Sequence, residues 1–196
     1  MTEEERTIQT WIPQKNEEAY RAKIEGILVR IGQPGDDEDS LYRRGIAYYL
    51  TGDYENCLAQ EKASYKKYYQ LGDEEMGIAA MFWHTLAAWR LGVPAEIMDT
   101  YYRPNMKVGH HYTYDQIMGI ATGHLSLPEC VGKLYAVKSG LDFAIIGYGM
   151  SEYMRHIGLI AQADNLRRDV VRDNSFWIAY AWLAAWTDQN RAEGKE

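Results

Sequence analysis

Three glycines that interrupt a helix-like pattern between Ser40 and Pro104 constrain the fold of this chain more than any other feature. The glycines are Gly52, Gly72 and Gly92. Each follows a helical run within two residues, and the runs cover 40–51, 54–70 and 74–91. Glycine at such a position adopts the left-handed backbone conformation that ends a helix. Asp53 and Asp73 follow two of the glycines, where a carboxylate accepts hydrogen bonds from the first amides of the next helix. The pattern predicts helices joined by tight turns, stacked as antiparallel hairpins.

The rest of the chain also favours helices. Asn16 is expected to cap a helix that reaches about Ile31, and Asn174 is expected to cap the last helix. Between them the helical pattern covers four runs, which are 113–125, 128–138, 142–161 and 164–173. Strand-like alternation is not sustained, and 196 residues with 46% hydrophobic side chains suffice for one core. We therefore expect an all-α fold, with a single domain at 15–190 and an N-terminal arm at 1–14.

Three glycines make one of these runs ambiguous. Gly147, Gly149 and Gly158 lie within the apolar segment 142–161. Each glycine costs roughly 1 kcal/mol relative to alanine in a helix interior. Either another backbone crosses closely at these positions, or the helix is broken, and both interpretations stay open.

One stretch resembles the first helix and turn of a tetratricopeptide repeat, namely Gly45-x-Ala47-Tyr48-Tyr49-x-x-Gly52-Asp53-Tyr54. A weak echo begins at Ala87, 40 residues after Ala47, whereas the period of that repeat is about 34 residues. Cys57 and Glu61 also stand where small and aromatic residues are expected. We interpret the stretch as tetratricopeptide-like hairpin geometry rather than as a true repeat array.

Charge and cysteine content limit the classes of partner and compartment. The formal net charge is −7, which disfavours nucleic acid and anionic membranes and would steer a basic partner inward. Cys57 and Cys130 have no CxxC spacing and are predicted to be buried free thiols of a reducing compartment. The acidic first residues lack the apolar stretch of a secretory signal, and no apolar run has the length of a membrane span. We expect a cytoplasmic protein with no membrane helix.

Catalytic and metal-binding patterns are weak throughout the sequence. His110 and His111 are adjacent, so their side chains are expected to point to different sides, and neither HxxxH nor ExxH spacing accompanies them. Gly147-Tyr148-Gly149 does not follow a strand and has no GK[ST] after it, so it does not match a phosphate loop. We predict no catalytic residue, no cofactor and no metal site. An enzyme that uses His110 or His111 in an aromatic pocket is one alternative to a binding function.

An irregular, aromatic and acidic connector follows the third helix. Pro94, Pro104 and Gly109 make one long helix improbable between 93 and 112. The predicted partner-binding residues are in or beside this connector: Glu96, Asp99, Tyr101, Tyr102, Tyr112, Tyr114 and Asp115. Tyrosines inside a charged rim are typical of protein interfaces. The alternative is a packed loop whose tyrosines cover the helical core.

The residues around this connector resemble a known family. The pattern includes Lys66-Lys67-Tyr68-Tyr69, Gly77-Ile78-Ala79-Ala80, Gly92-Val93-Pro94-Ala95-Glu96-Ile97 and Asp99-x-Tyr101-x-x-Pro104. Over 40–106 the chain is similar to the helical Immunity protein 49 family. The resemblance implies a bacterial, cytoplasmic antidote with no catalysis of its own, which binds and blocks a cognate protein toxin. If that toxin is a nuclease, its active-site cleft should be basic.

A second class of function is a helical-repeat-like scaffold or adaptor. Such a protein would grip a peptide in a groove lined by residues of several helices, for which Arg43, Tyr48 and Trp83 are candidates. It would accept many partners, whereas an immunity protein would recognise one toxin.

Overall fold

The computed structural model describes residues 17–195, and helices account for all the regular structure in that range. In chain order the α-helices are α1 (17–28 in its described part), α2 (Glu38–Thr51), α3 (Tyr54–Leu71), α4 (Glu74–Leu91), α5 (Glu96–Tyr101), α6 (Tyr112–Ala121), α7 (Leu127–Ala136), α8 (Gly140–His156), α9 (Ile160–Arg172) and α10 (Tyr180–Ala192). Short 3-10 helices cover Val29–Gly32 and Gly109–His111. The helices pack into one domain, which confirms the predicted all-α class. The predicted arm at 1–14 and the predicted cap Asn16 lie outside the described residues.

The hairpin turns of α2, α3 and α4 form as their sequences predict. The glycines that follow these three helices have φ between 67° and 80°, the left-handed region that ends a helix. Asp37, Asp53 and Asp73 each accept a hydrogen bond from the backbone amide three residues later, at 2.9, 3.2 and 2.9 Å. α2 begins two residues earlier than predicted because Asp37 is its cap.

α4 is the central helix of the domain. Every residue from Gly77 to Ala88 is buried, whereas a surface helix keeps one polar face. α4 contacts α2, α3, α5, α6 and α8, and the Phe82 and Trp83 rings are fully buried at its middle. Trp83 therefore cannot line a peptide groove, which corrects the expectation attached to the scaffold alternative. None of the described helices combines the length and the hydropathy needed to cross a lipid bilayer.

A charged network crosses the core and joins four helices. Arg90 of α4 forms a two-pronged ion pair with Glu152 of α8 and a second ion pair with Asp188 of α10. Tyr148 of α8 donates a hydrogen bond to Asp188 at 2.7 Å and shares one of 2.9 Å with Tyr49 of α2. The carboxylates of Glu152 and Asp188 are both buried, and the loss of their hydration costs free energy. The guanidinium of Arg90 offsets that cost.

α8 is continuous through Gly147 and Gly149, but the predicted run 142–161 is broken at 157–159, after α8 ends at His156. A Cβ atom at Gly147 would lie 2.5 Å from a methyl group of Val170 in α9. A Cβ atom at Gly149 would lie 2.7 Å from side-chain atoms of both Ile117 and Phe82. The atoms nearest to these two glycines belong to side chains of neighbouring helices and not to a crossing backbone, as one interpretation predicted. Gly158 lies just beyond α8, where φ of 86° turns the chain toward α9.

The predicted start of the last helix at Asn174 is wrong. Ser175 donates from its backbone amide and its hydroxyl to the Asp173 carboxylate, at 3.1 and 2.6 Å. This local pairing holds the chain in turns at 175–178. α10 begins only at Tyr180, after Ala179 in an extended conformation.

Candidate functional site

The connector packs its short helix α5 against one face of α3. Lys62 of α3 donates to Glu96 of α5 at 2.6 Å. The Tyr101 ring lies 5.3 Å, between ring centroids, from both Tyr65 and Tyr69 of α3. On α3 these partners are three or four residues apart, so they share one helical face. We call this set of five residues the α3–α5 seam.

The tyrosines of the α3–α5 seam form a partly exposed aromatic cluster. Tyr65 is buried, and this burial raises its pKa to about 12, with smaller contributions from the neighbouring tyrosines. Tyr69 is 58% exposed even though its ring stacks on Tyr65. An exposed tyrosine held by its neighbours loses little conformational freedom on binding and has both an apolar ring and a polar tip. The cluster is therefore suited to anchoring a partner.

A groove of about 580 Å³ adjoins the seam at the Lys62–Glu96 pair. Its lining consists of Glu55, Leu58, Ala59, Lys62, His84, Val93, Pro94 and Glu96. The His84 side chain is almost completely buried, and this burial lowers its pKa to about 4. Its Nδ1 has no hydrogen-bond partner among the described residues. His84 is thus an interior histidine with one ring nitrogen that no described residue hydrogen-bonds.

A second pocket, of about 310 Å³, continues from the tyrosine cluster toward the start of α4. Glu74 forms an ion pair with Arg103 and accepts a hydrogen bond from the Lys107 amide at 2.6 Å. Tyr65 and Tyr69 line the other part of this pocket. The tyrosine cluster is thus bordered by the Lys62–Glu96 ion pair on one side and by the Glu74–Arg103 ion pair on the other.

The remaining predicted partner-binding residues are not part of the seam. Asp99 is exposed on α5, where it borders a different groove. Tyr102 donates to the Asp115 carboxylate at 3.0 Å, and burial raises the pKa of that carboxyl. Tyr112 is 40% exposed and donates to Asp142 of α8. Together with the seam residues, these side chains occupy several separate positions rather than one surface.

Tyr114 corrects the predicted set of contact residues. Its side chain is buried, and its ring packs edge-on against Phe82 at a centroid distance of 4.9 Å. Tyr114 belongs to the buried face of α6 together with Ile117 and Met118, so hydrophobic burial decides its place. It supports the alternative interpretation, in which a connector tyrosine covers the core.

Neither cysteine is a candidate for reactive chemistry. Cys57 and Cys130 are free and buried, as predicted. Burial raises the pKa of Cys57 well above its usual value and that of Cys130 to about 11. A thiol held protonated is a poor nucleophile and a poor metal ligand.

The two adjacent histidines lie against an acidic residue of the central helix. Glu75 is in the first turn of α4, and its carboxylate contacts the His110 ring. The His110 and His111 rings lie 4.4 Å apart between centroids, so they are not on different sides as expected. Glu75 and His110 are 35 residues apart in sequence, and no local spacing identifies such a pair.

No protein-family model matches the chain, and no curated protein and no solved structure matches it either. The resemblance to the Immunity protein 49 family stays a prediction from the residues quoted above.

Proposed function

We propose that this chain is a toxin-neutralising immunity protein, which binds a cognate bacterial toxin and blocks its active site. The observation that carries the proposal is the tyrosine cluster of the α3–α5 seam, in which Tyr69 is 58% exposed. Interfaces are energetically dominated by a few aromatic anchors within a polar rim. The Lys62–Glu96 and Arg103–Glu74 ion pairs supply such a rim around the cluster.

Charge supports a basic partner. The chain carries a formal net charge of −7, and Glu55 and Asp99 are exposed near the two ends of the Lys62–Glu96 pair. A protein with this charge associates fastest with a partner of opposite sign. The cleft of a toxin that acts on nucleic acid has that sign, so occupation of the cleft is both fast and inhibitory.

Rescue of cells tests the proposal directly. The chain is co-expressed with the toxin encoded beside it, and cell growth is compared with growth in the presence of toxin alone. We expect the wild-type chain to restore growth and Tyr69→Ala to restore much less. Tyr135→Ala is the matched control, because Tyr135 is a similarly exposed tyrosine, 68% exposed, on α7. Failure of the wild-type chain to restore growth would overturn the proposal.

The groove beside the seam favours a second candidate, a peptide-binding adaptor. Its volume of about 580 Å³ suits a peptide side chain, and its lining includes His84, whose Nδ1 has no hydrogen-bond partner among the described residues. An adaptor would bind many peptides from an array, and His84→Leu would abolish that binding. An immunity protein would bind its toxin regardless of His84→Leu.

A further inference from the structure

The turn at 109–111 crosses the first turn of α4, where Glu75 contacts both of its histidines. The backbone amide of His110 donates to Oε1 of Glu75 at 2.8 Å, and the His110 ring contacts the same oxygen. Nδ1 of His111 hydrogen-bonds the backbone carbonyl of Glu75 at 2.6 Å. One glutamate therefore brings two histidine rings together at the protein surface.

Gly109 makes this close approach possible. Its φ of 51° is in the left-handed region, and any side chain at this position would overlap the Glu75 carboxylate. The neighbouring Glu74 holds the same connector by accepting from the Lys107 amide at 2.6 Å. Two consecutive carboxylates and a glycine thus fix the backbone that carries the histidines.

The hydrogen bond of His111 determines which of its two ring nitrogens has an available lone pair. A carbonyl oxygen only accepts, so Nδ1 of His111 must carry the proton. In the neutral ring the lone pair is then on Nε2. A histidine whose one N–H donates to a backbone carbonyl while the other nitrogen is free has the outer-shell arrangement of metal-ligating histidines.

We propose that Glu75, His110 and His111 bind a divalent transition-metal ion of the zinc class. One potential ligand atom from each residue lies within 4.8 Å of the other two. Two imidazoles and one carboxylate form a ligand set that such ions take, with the remaining coordination positions open to water. The His110 side chain is 81% exposed, so its ring turns toward an ion without disturbing the core.

Metal binding at this place would fasten the connector to the central helix. The ligands come from α4 and from the turn at 109–111, and Lys107 beside that turn lines the pocket next to the tyrosine cluster. An ion that binds only the folded chain raises its stability by mass action. The site is independent of the proposed toxin, because all three ligands belong to this chain.

Titration of the metal-free protein with Zn²⁺ alone tests the proposal. Isothermal titration calorimetry against a competing chelator is expected to give one tight ion per chain. His110→Ala and Glu75→Gln are each expected to weaken binding by more than about tenfold, since even residues outside a ligand set contribute roughly 10–100-fold. His124→Ala and His156→Ala are matched controls, because both histidines are exposed and outside the cluster, and they are expected to bind as the wild type does.

Two results would overturn the metal site. One is the lack of saturable binding with one ion per chain. The other is equal affinity in the wild type and in His110→Ala, which would mean that the ion binds elsewhere. The exposed His110 ring can be removed without unfolding, so this variant stays informative if Glu75→Gln destabilises the turn, which circular dichroism measures. X-ray absorption of the zinc complex should report two imidazole nitrogens in the wild type and one in His110→Ala.

Discussion

Glu61 combines a charged residue type with a fully buried position in α3. Neither of its carboxyl oxygens has a hydrogen-bond partner among the described residues, and Gly45 of α2 lies directly against them. Burial raises the pKa of Glu61 well above the ordinary value of 4.5. The folded chain thus keeps a proton that the unfolded chain releases above pH 4.5. The contribution of this residue to stability is complete below that pH and is lost as pH rises toward the folded pKa.

Glu61→Gln is expected to stabilise the protein at pH 8. The amide has nearly the same shape and does not ionise. The free energy of unfolding should therefore rise by at least about 1 kcal/mol, because a pKa shift of one unit already corresponds to about 1.4 kcal/mol. The gain should shrink as pH falls toward 4.5. Urea denaturation at a series of pH values measures this difference, with the exposed Glu55→Gln of the same helix as the control. A gain that does not depend on pH would contradict the assignment.

At the level of helices, the sequence predicts those features that depend only on residues close together along the chain. Asp53 and Asp73 cap the next helix as predicted, because a cap and its amide are three residues apart. The seam was found only in part. Glu96 and Tyr101 were among the predicted partner-binding residues. Lys62, the partner of Glu96, is 34 residues away in sequence, and the exposure of Tyr69 in a regular helix depends on tertiary packing. The contact of Glu75 with His110 was not predicted either, because these residues are 35 positions apart in the sequence.

The two interior glycines of α8 permit a prediction about helix packing. Gly147→Ala and Gly149→Ala should each lower the free energy of unfolding by about 1–3 kcal/mol, because the added methyl group overpacks the contacts with α9, α6 and α4. In an open helical position the same change is stabilising by about 0.4–1 kcal/mol. Gly132→Ala in α7 is that control, since nothing lies within 4 Å of its Cβ position. Opposite signs in thermal or urea unfolding are expected, and equal signs would contradict the packing argument.

The Arg90 network is expected to be the most sensitive connection between helices. Arg90→Met leaves the buried carboxylates of Glu152 and Asp188 without their guanidinium, and it should lower the free energy of unfolding by about 3–5 kcal/mol. Adding Glu152→Gln should recover part of this loss, because one buried charge is removed. Arg43→Met breaks only an exposed ion pair with Asp39 and should cost less than about 1 kcal/mol. Similar losses for Arg90→Met and Arg43→Met in urea unfolding would refute this ranking.

At the scale of the whole molecule, the core and the seam have different tasks. The domain is held by the buried faces of α4, α8 and α10 and by the Arg90 network, none of which requires the exposed tyrosines. Tyr69 is 58% exposed, so its truncation should leave the unfolding transition nearly unchanged. Residues that stabilise the fold can therefore be separated experimentally from the residues proposed to bind a partner.

Electrostatic steering by the whole molecule gives a prediction that rests on the proposed function. With a net charge of −7 and a basic toxin, the association rate should fall steeply as salt rises, whereas the dissociation rate should change little. Tyr69→Ala should act in the opposite way and mainly speed dissociation.

Glu55→Gln with Asp99→Asn, near the seam, should slow association more than Glu17→Gln with Glu18→Gln on α1, which removes the same charge elsewhere. Surface plasmon resonance at several salt concentrations separates the two rates. An association rate that ignores both salt and these variants would show that charge does not guide the encounter, and the partner would then have to be sought among proteins without a basic cleft.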